Sequence, residues 1–336
     1  MKAYLYYCEA SSLNDATNYY VGIIEKGLTR KGVDLIKTQD LNDLSNADII
    51  VTITVKAFFK AKIKNRKAKT IFWSQGVAPE EAIMSEKTLR NYYRFVCRYL
   101  LTLIALHCGN LIFLVSEEMK NHYRKMYCCS MDNSIVMPCY NLPVSKSFSI
   151  KQYEEPSFVY AGNAAAWQGV DLMLDVYAIV EQNIPNAKIM LLSKNEKEFT
   201  EKLQARNIRN YEIKYVSMDC LQEELHKFKY GFILRDNHIV NRVATPTKMN
   251  SYLSNYLIPI FSNTVDDFNR HIELEEFTIK AQFPLNANVI ADEIIKFEKS
   301  DKQFERYKGI VERIFKEHYN DDVYLSIMES RIAKWF

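Results

Sequence analysis

Arg235, Arg242 and Lys248 stand close together in GFILRDNHIVNRVATPTKMNSYL, residues 231–253. Two guanidinium groups and an ammonium can form charge-assisted hydrogen bonds to phosphate or carboxylate oxygens. The residues around them predict how they are held. Residues 231–234 are an apolar run after the helix-like LQEELHKFKY, and they read as a buried strand of an α/β sheet. Thr245 followed by Pro246 predicts a helix start, with the threonine as N-cap and the proline at the first helical position. Lys248 then falls in the first turn, where free backbone N–H groups carry partial positive charge. The three cations and the amides of residues 245–248 together describe an anion site of a size for a diphosphate. Surface charges beside a plain helix cap would produce the same string.

The elements that must position these groups can be read along the chain. At 336 residues the chain is long for one core and suits two domains. With 48% hydrophobic and 25% charged residues it is globular, and a net charge of +3 gives no reason to expect a nucleic acid partner. Seven cysteines without regular spacing, Cys128 and Cys129 adjacent, do not form a disulfide framework and point to a reducing cytoplasm. Residues 1–7, MKAYLYY, read as a first strand and not as a signal peptide. Residues 95–115 have the length of a membrane span, but Arg98, His107 and the Gly109-Asn110 break divide them into a helix, a turn and the strand LIFLV.

Strands and helices alternate as in a doubly wound parallel sheet. Strands are expected at 3–7, 33–37, 47–54, 70–73, 111–115 and 134–137, with helices near 16–31, at 86–107 and after Ser116. Residues 138–156 carry Pro138, Pro143 and Pro156 without periodicity and read as a linker. The pattern restarts with SFVYAG at 157–162 and the amphipathic GVDLMLDVYAIVEQ. Further strands are expected at 188–192, 211–216, 230–234 and 258–261, and a helical tail at 302–336 broken near 319–321. The absence of a glycine-rich loop after the first strand, and of GxxxxGK[ST] anywhere, weakens dehydrogenase and kinase readings.

Four passages carry a family resemblance: TIFWSQGVAPEE at 70–81, LIFLVSEEMKNHY with SIVMPCYN at 111–141, FVYAGNAAAWQGVDLML at 158–174, and NRVATPTKMNSYLSNYLIPIFSN at 241–263. Their order resembles a GT-B glycosyltransferase of the family 4 kind, in particular bacterial enzymes of capsule, O-antigen and exopolysaccharide synthesis. The resemblance implies two Rossmann-like domains facing across a cleft, at about 1–145 and 146–318, with a C-terminal helix, 319–336, returning toward the first. It implies a retaining hexosyltransferase that moves a sugar from a nucleotide-diphosphate donor to a saccharide acceptor, with no cofactor. The family's arginine after the first glycine and its lysine before GVDLL correspond here to Asn163 and Gln168. Its paired glutamates fall near Val243 and Ser251. The donor site implied by the alignment of motifs is Gly162, Asn163, Gln168, Arg242, Thr245, Pro246, Thr247 and Ser251. Because charge develops on the departing diphosphate, Arg235 and Lys248 become the expected catalytic cations. A catalytically silent GT-B-like partner in an assembly complex, or a nucleotide-sugar epimerase of this fold, stays open.

On the acceptor side, Gln75 stands where relatives place a sugar-contacting residue and is the third expected catalytic residue. Trp73 could stack on a sugar ring or belong to the core. Asp15 with Asn18 reads as a capping pair for the first helix or Asp15 as a catalytic carboxylate, and Glu80 with Glu81 as first-turn helix acids or a general base. The sequence shows no DxD motif and no His, Cys or carboxylate cluster of metal-ligand spacing, so a metal-independent reaction is expected. VKAFFKAKIKNRKAK at 55–69 interleaves lysines with Phe58, Phe59 and Ile63. It suits an anionic membrane surface, so the expectation is a polyprenyl-linked acceptor and peripheral binding at the inner face of the cytoplasmic membrane. A solvated basic face is the plainer alternative.

Overall fold

The apolar runs expected as strands are parallel strands of two separate sheets. A computed structural model describes residues 1–13, 15–84 and 87–336, without the side chains of Ser11, Asp15, Ala16 and Ala166. The expectation for the Asp15 carboxylate thus lies outside the described residues. The chain divides into unit 1, Met1–Asn141 with Arg242–Thr245 and Asn320–Phe336, and unit 2, Leu142–Asn241 with Pro246–Tyr319.

Unit 1 begins with β1 (Ala3–Tyr6), α1 (Asp15–Thr29), β2 (Leu35–Thr38), β3 (Ile49–Thr52), α2 (Val55–Lys64) and β4 (Lys69–Ser74). It continues with α3 (Ala78–Met84), α4 (Leu89–Cys108), β5 (Leu111–Leu114), α5 (Glu117–Tyr127) and β6 (Ser134–Val136). The sheet is parallel throughout, in the order β2-β1-β3-β4-β5-β6. β3 and β5 are buried at every residue, as expected for a sheet covered on both faces. Thr54, Thr88 and Ser116 cap α2, α4 and α5 by accepting from the amides of Ala57, Asn91 and Met119. The span-like stretch is α4, a turn and β5, and among the described residues no helix is long and apolar enough to cross a membrane.

Trp73 is wholly buried between Tyr20, 4.7 Å away by ring centroid, and Phe113 at 6.4 Å. It is a core residue and not a stacking surface for a sugar, because β4 is covered on both faces and its side chains from Thr70 to Ser74 all point into packed layers. Phe58 is likewise buried, against Phe72, so of the two phenylalanines in the basic segment only Phe59 retains exposure.

Unit 2 runs β7 (Ser157–Ala161), α6 (Val170–Asn183), β8 (Lys188–Leu192), α7 (Glu196–Gln204), β9 (Tyr211–Lys214), α8 (Met218–Leu225) and β10 (Tyr230–Ile233). Then follow α9 (Ile239–Arg242), α10 (Thr247–Ser254), β11 (Ile258–Ser262), α11 (Asp266–His271), β12 (Ile279–Ala281), α12 (Ala287–Lys299) and α13 (Phe304–Glu317). Its sheet, also parallel, has the order β12-β11-β10-β7-β8-β9. The connections therefore reverse direction between β7 and β10. In open α/β sheets such a switch point leaves a crevice beyond the carboxyl ends of the two strands, where ligands bind.

The last helix, α14 (Asp321–Ile332), clusters with unit 1 and packs on α1. Lys26 pairs with Asp321 at 2.9 Å and Arg30 with Glu329 at 3.1 Å, while Met328 fills the space where a side chain at Gly27 would stand. This is the expected return of the C-terminal helix.

Candidate functional site

The carboxyl ends of β7 and β10 carry the residues that the sequence singles out in unit 2. Beyond β7 the chain turns at Gly162, whose φ is +155°, and runs through Asn163 to a 3₁₀ turn at Ala166–Gln168 and then Gly169, φ +63°. Gly169 is required twice: its backbone is left-handed, and any side chain there would collide with the carbonyl of Leu234 at the end of β10. The loop is thereby held against β10, with Gln168 at its end.

Lys248 enters from the first turn of α10. Its Nζ donates to Gln168 Oε1 at 2.6 Å and lies 4.1 Å from the centroid of the Tyr160 ring. It also rests over Gly162, since a side chain at that glycine would come within 2.8 Å of Nζ. Burial, and then the neighbouring Arg235, hold the Lys248 ammonium well below its usual range. Arg235, 6% exposed, follows β10. Its backbone is pinned to Ser262 by a reciprocal pair of 2.9 Å bonds, and its Nη1 donates to Asn241 Oδ1 at 3.1 Å. Burial pulls the guanidinium down to about 10, so it remains charged at neutral pH. Among the described residues neither Arg235 nor Lys248 forms an ion pair. A buried and a half-buried cation, adjacent at a switch point and facing amide oxygens and one ring, are arranged to receive an anion.

Other expected donor residues take different places. Asn163 is exposed; its Oδ1 accepts from the Ala165 amide at 3.2 Å, and its carbonyl accepts from the Tyr160 hydroxyl at 2.7 Å. Thr245 is not the cap of α10. The helix begins at Thr247 after Pro246, and Thr245 Oγ1 accepts from the Cys139 amide at 2.9 Å. The Thr-Pro pair misleads because β6's continuation at Cys139 offers a free amide that the threonine satisfies instead. Arg242 and Thr245 both belong to unit 1, where Arg242 lies 3.8 Å from Glu118 and Ser116 Oγ donates to Val243 O at 2.6 Å. The cations of unit 2's own site are thus Arg235 and Lys248. Ser251 is buried, and its carbonyl accepts from Ser254 Oγ and Asn255 Nδ2.

In unit 1, Gln75 is exposed just past β4, and its Oε1 accepts from Thr17 Oγ1 at 3.4 Å. Beside it, Ser74 Oγ and Tyr123 OH are 2.7 Å apart and the tyrosine donates to Gly76 O. Glu80, read from sequence as a first-turn acid, is buried and its Oε1 lies 2.6 Å from His122 Nε2. Spacing alone did not reveal this pair, because His122 lies on α5 and only the packing of α3 on α5 brings the groups together. An open cavity of about 660 Å³ lies between α3 and α4, lined by Glu81, Thr88, Arg90, Asn91, Arg94 and Arg98. The fold also joins Asp267, His271 and His318, whose ligand atoms all lie within 4.8 Å of one another. Only the Asp267–His271 spacing of one helical turn hints at this in sequence.

No family model and no curated protein matches the chain. Solved structures do. HepE from Anabaena, in complex with UDP-glucose, is similar with a TM-score of 0.71 at 10% identity, over 99% of this chain and 100% of that one. WaaG, a glycosyltransferase involved in lipopolysaccharide biosynthesis, gives 0.68 at 10% identity over 99% of each chain. TarM from S. aureus, in complex with UDP and alpha-GlcNAc-glycerol among its ligands, gives 0.63 at 14% identity and covers 85% of this chain. This chain spans 55% of the length of that TarM chain. The two Rossmann-like units and the returning helix are the GT-B fold.

Proposed function

We propose that the chain is a glycosyltransferase that moves a sugar from a nucleoside diphosphate to a saccharide acceptor in the synthesis of a bacterial surface polysaccharide, with retention at the anomeric carbon. The observation that carries this reading is the pair Arg235, buried, and Lys248, half-buried, without carboxylate partners at the switch point of unit 2. In a transfer of this kind the bond from the anomeric carbon to the diphosphate breaks and negative charge grows on the leaving phosphate oxygens. Arg235 and Lys248 would stabilise that charge, with the amides of Thr247 and Lys248 at the start of α10 adding their dipoles. Lys248 would exchange its bond to Gln168 for one to phosphate. Gly162 would let the backbone approach the phosphates, and Ser251 and Thr247 would face the nucleoside. Two protein cations supply the charge that a metal ion supplies elsewhere, so the transfer itself is read as metal-independent. UDP is the first donor nucleotide to test, given HepE and TarM.

The acceptor is proposed to be polyprenyl-linked and met at the inner face of the cytoplasmic membrane. Leu89, Tyr93, Val96 and Leu100 form an exposed apolar stripe along α4, next to the arginine-lined cavity and to the lysines of α2. Arg90, Arg94 and Arg98, one turn apart, suit the phosphates of such a carrier. Neutralising Lys60, Lys62, Lys64 and Lys67 is expected to release the protein from anionic vesicles, at about 1 kcal/mol per charge. Unchanged co-sedimentation removes the membrane part of the proposal.

A thermal-shift series with UDP, GDP and their sugars tests the donor site without an acceptor: one nucleotide should raise the melting midpoint, in proportion to the logarithm of its concentration. If none does, the donor site is wrong. The alternative of a catalytically silent partner draws on Asn163 and Gln168, which leave the loop after β7 without the family's cations. That reading predicts nucleotide binding or none, but no turnover in either case.

A further inference from the structure

Asp267 and His271 lie one turn apart on α11, and His318 follows the last residue of α13, 51 residues from Asp267. All three belong to unit 2. Asp267 is 2% exposed and His318 6%. His318 Nε2 is 3.1 Å from Asp267 Oδ2, and His271 Nε2 is 4.0 Å from Oδ1 of the same carboxylate. The two imidazoles stack with centroids 4.3 Å apart and planes 11° from parallel. Among the described residues no lysine or arginine pairs with Asp267, since Arg270 turns instead to Asp266.

A carboxylate buried this deeply requires positive charge close by. Two imidazolium rings stacked face to face would repel each other, so in the metal-free protein at most one histidine supplies it. Two neutral imidazoles and one carboxylate are instead a ligand set for a divalent ion of the zinc type, with nitrogen and oxygen donors of intermediate softness. Bonds of about 2.1 Å in tetrahedral geometry put neighbouring ligand atoms about 3.4 Å apart. The Asp267–His318 pair already meets that spacing, and the half-exposed His271 ring needs to close by only about 1 Å.

We propose that Asp267, His271 and His318 bind a divalent transition-metal ion that ties α11 to the end of α13, with the remaining coordination position open to solvent beside His271. The site uses none of the residues assigned to the donor pocket, so it stands or falls apart from the transferase reading.

The test is cobalt and zinc titration of the whole protein after chelation and dialysis. The expected result is saturable uptake of one Co²⁺ with visible ligand-field bands and no intense near-ultraviolet thiolate band, together with a rise in melting midpoint on adding Zn²⁺. The thiolate band matters because all seven cysteines are free. His271→Ala, an exposed position that leaves the core intact, should weaken uptake by at least about 100-fold, since even outer-shell partners of a metal ligand are worth up to that. Asp267→Asn should do the same. No saturable uptake by the wild type, uptake carrying the thiolate band, or uptake unchanged in His271→Ala each overturns the proposal.

Discussion

The strand ends of unit 2 hold a buried and a half-buried cation that no carboxylate neutralises, whereas those of unit 1 hold a buried carboxylate already matched by an imidazole. Arg235 and Lys248 meet Asn241, Gln168 and the face of Tyr160, none of them charged. Glu80 meets His122 at 2.6 Å. Burial therefore does not by itself mark a ligand site. A matched charge is part of the scaffold, while an unmatched one is held in place against its own solvation preference and becomes favourable when an anion arrives.

The contrast can be broken by substitution. Arg235→Ala or Lys248→Ala is expected to reduce turnover by about 10²–10³-fold, the loss typical of a donor aimed at developing charge. The melting midpoint should hold or rise, because a buried unpaired cation is removed. A collapse of stability along with activity would make the pair structural and erase the difference between the units. In unit 1, His122→Ala should cost about 3 kcal/mol of stability by leaving Glu80 buried alone, with UDP affinity unchanged. Weakened UDP binding in that variant would show that the two regions are not separate in role.

The smallest effect is in pH. The Lys248 ammonium lies well below its ordinary range, so the free protein loses this proton as pH rises while a bound diphosphate favours keeping it. As pH rises toward the ordinary lysine range, UDP affinity should fall, by up to about tenfold per unit where one proton is linked. The UDP diphosphate loses its last proton near pH 6, below that range. Titration calorimetry in buffers of different ionisation enthalpy should show proton uptake on binding. A flat profile in the wild type, equal to that of Lys248→Ala, means that this lysine does not meet the phosphate.

Much of the architecture was legible in sequence because parallel strands covered on both faces are unbroken apolar runs. Residues 188–192 and 111–115 gave strands to within a residue, whereas β12, at Ile279–Ala281, is too short to carry a period. The site was legible only where chemistry and local pattern coincide. Lys248 after Thr-Pro and Arg235 after a buried strand are local signals, and they lie in the first turn of α10 and just past β10. Trp73 could not be assigned to core or surface without knowing that β4 is covered on both faces. Glu80 with His122, and Asp267 with His318, come from distant segments, so only tertiary packing reveals them. Thr245 was misread because its competing partner, the Cys139 amide, lies 106 positions earlier in the chain.

The division of the chain has a meaning for recombination between enzymes of this fold. Unit 1 is assembled from Met1–Asn141, Arg242–Thr245 and Asn320–Phe336, so neither unit is one uninterrupted stretch of polypeptide. A chimaera made with a single crossover near residue 142 would pair the first unit of one parent with four residues and a closing helix of the other. Lys26, Arg30 and Gly27 on α1 would then face a foreign α14, and Ser116 a foreign carbonyl in place of Val243. Exchanging unit 2 without losing the fold calls for trading all three segments of unit 1 together.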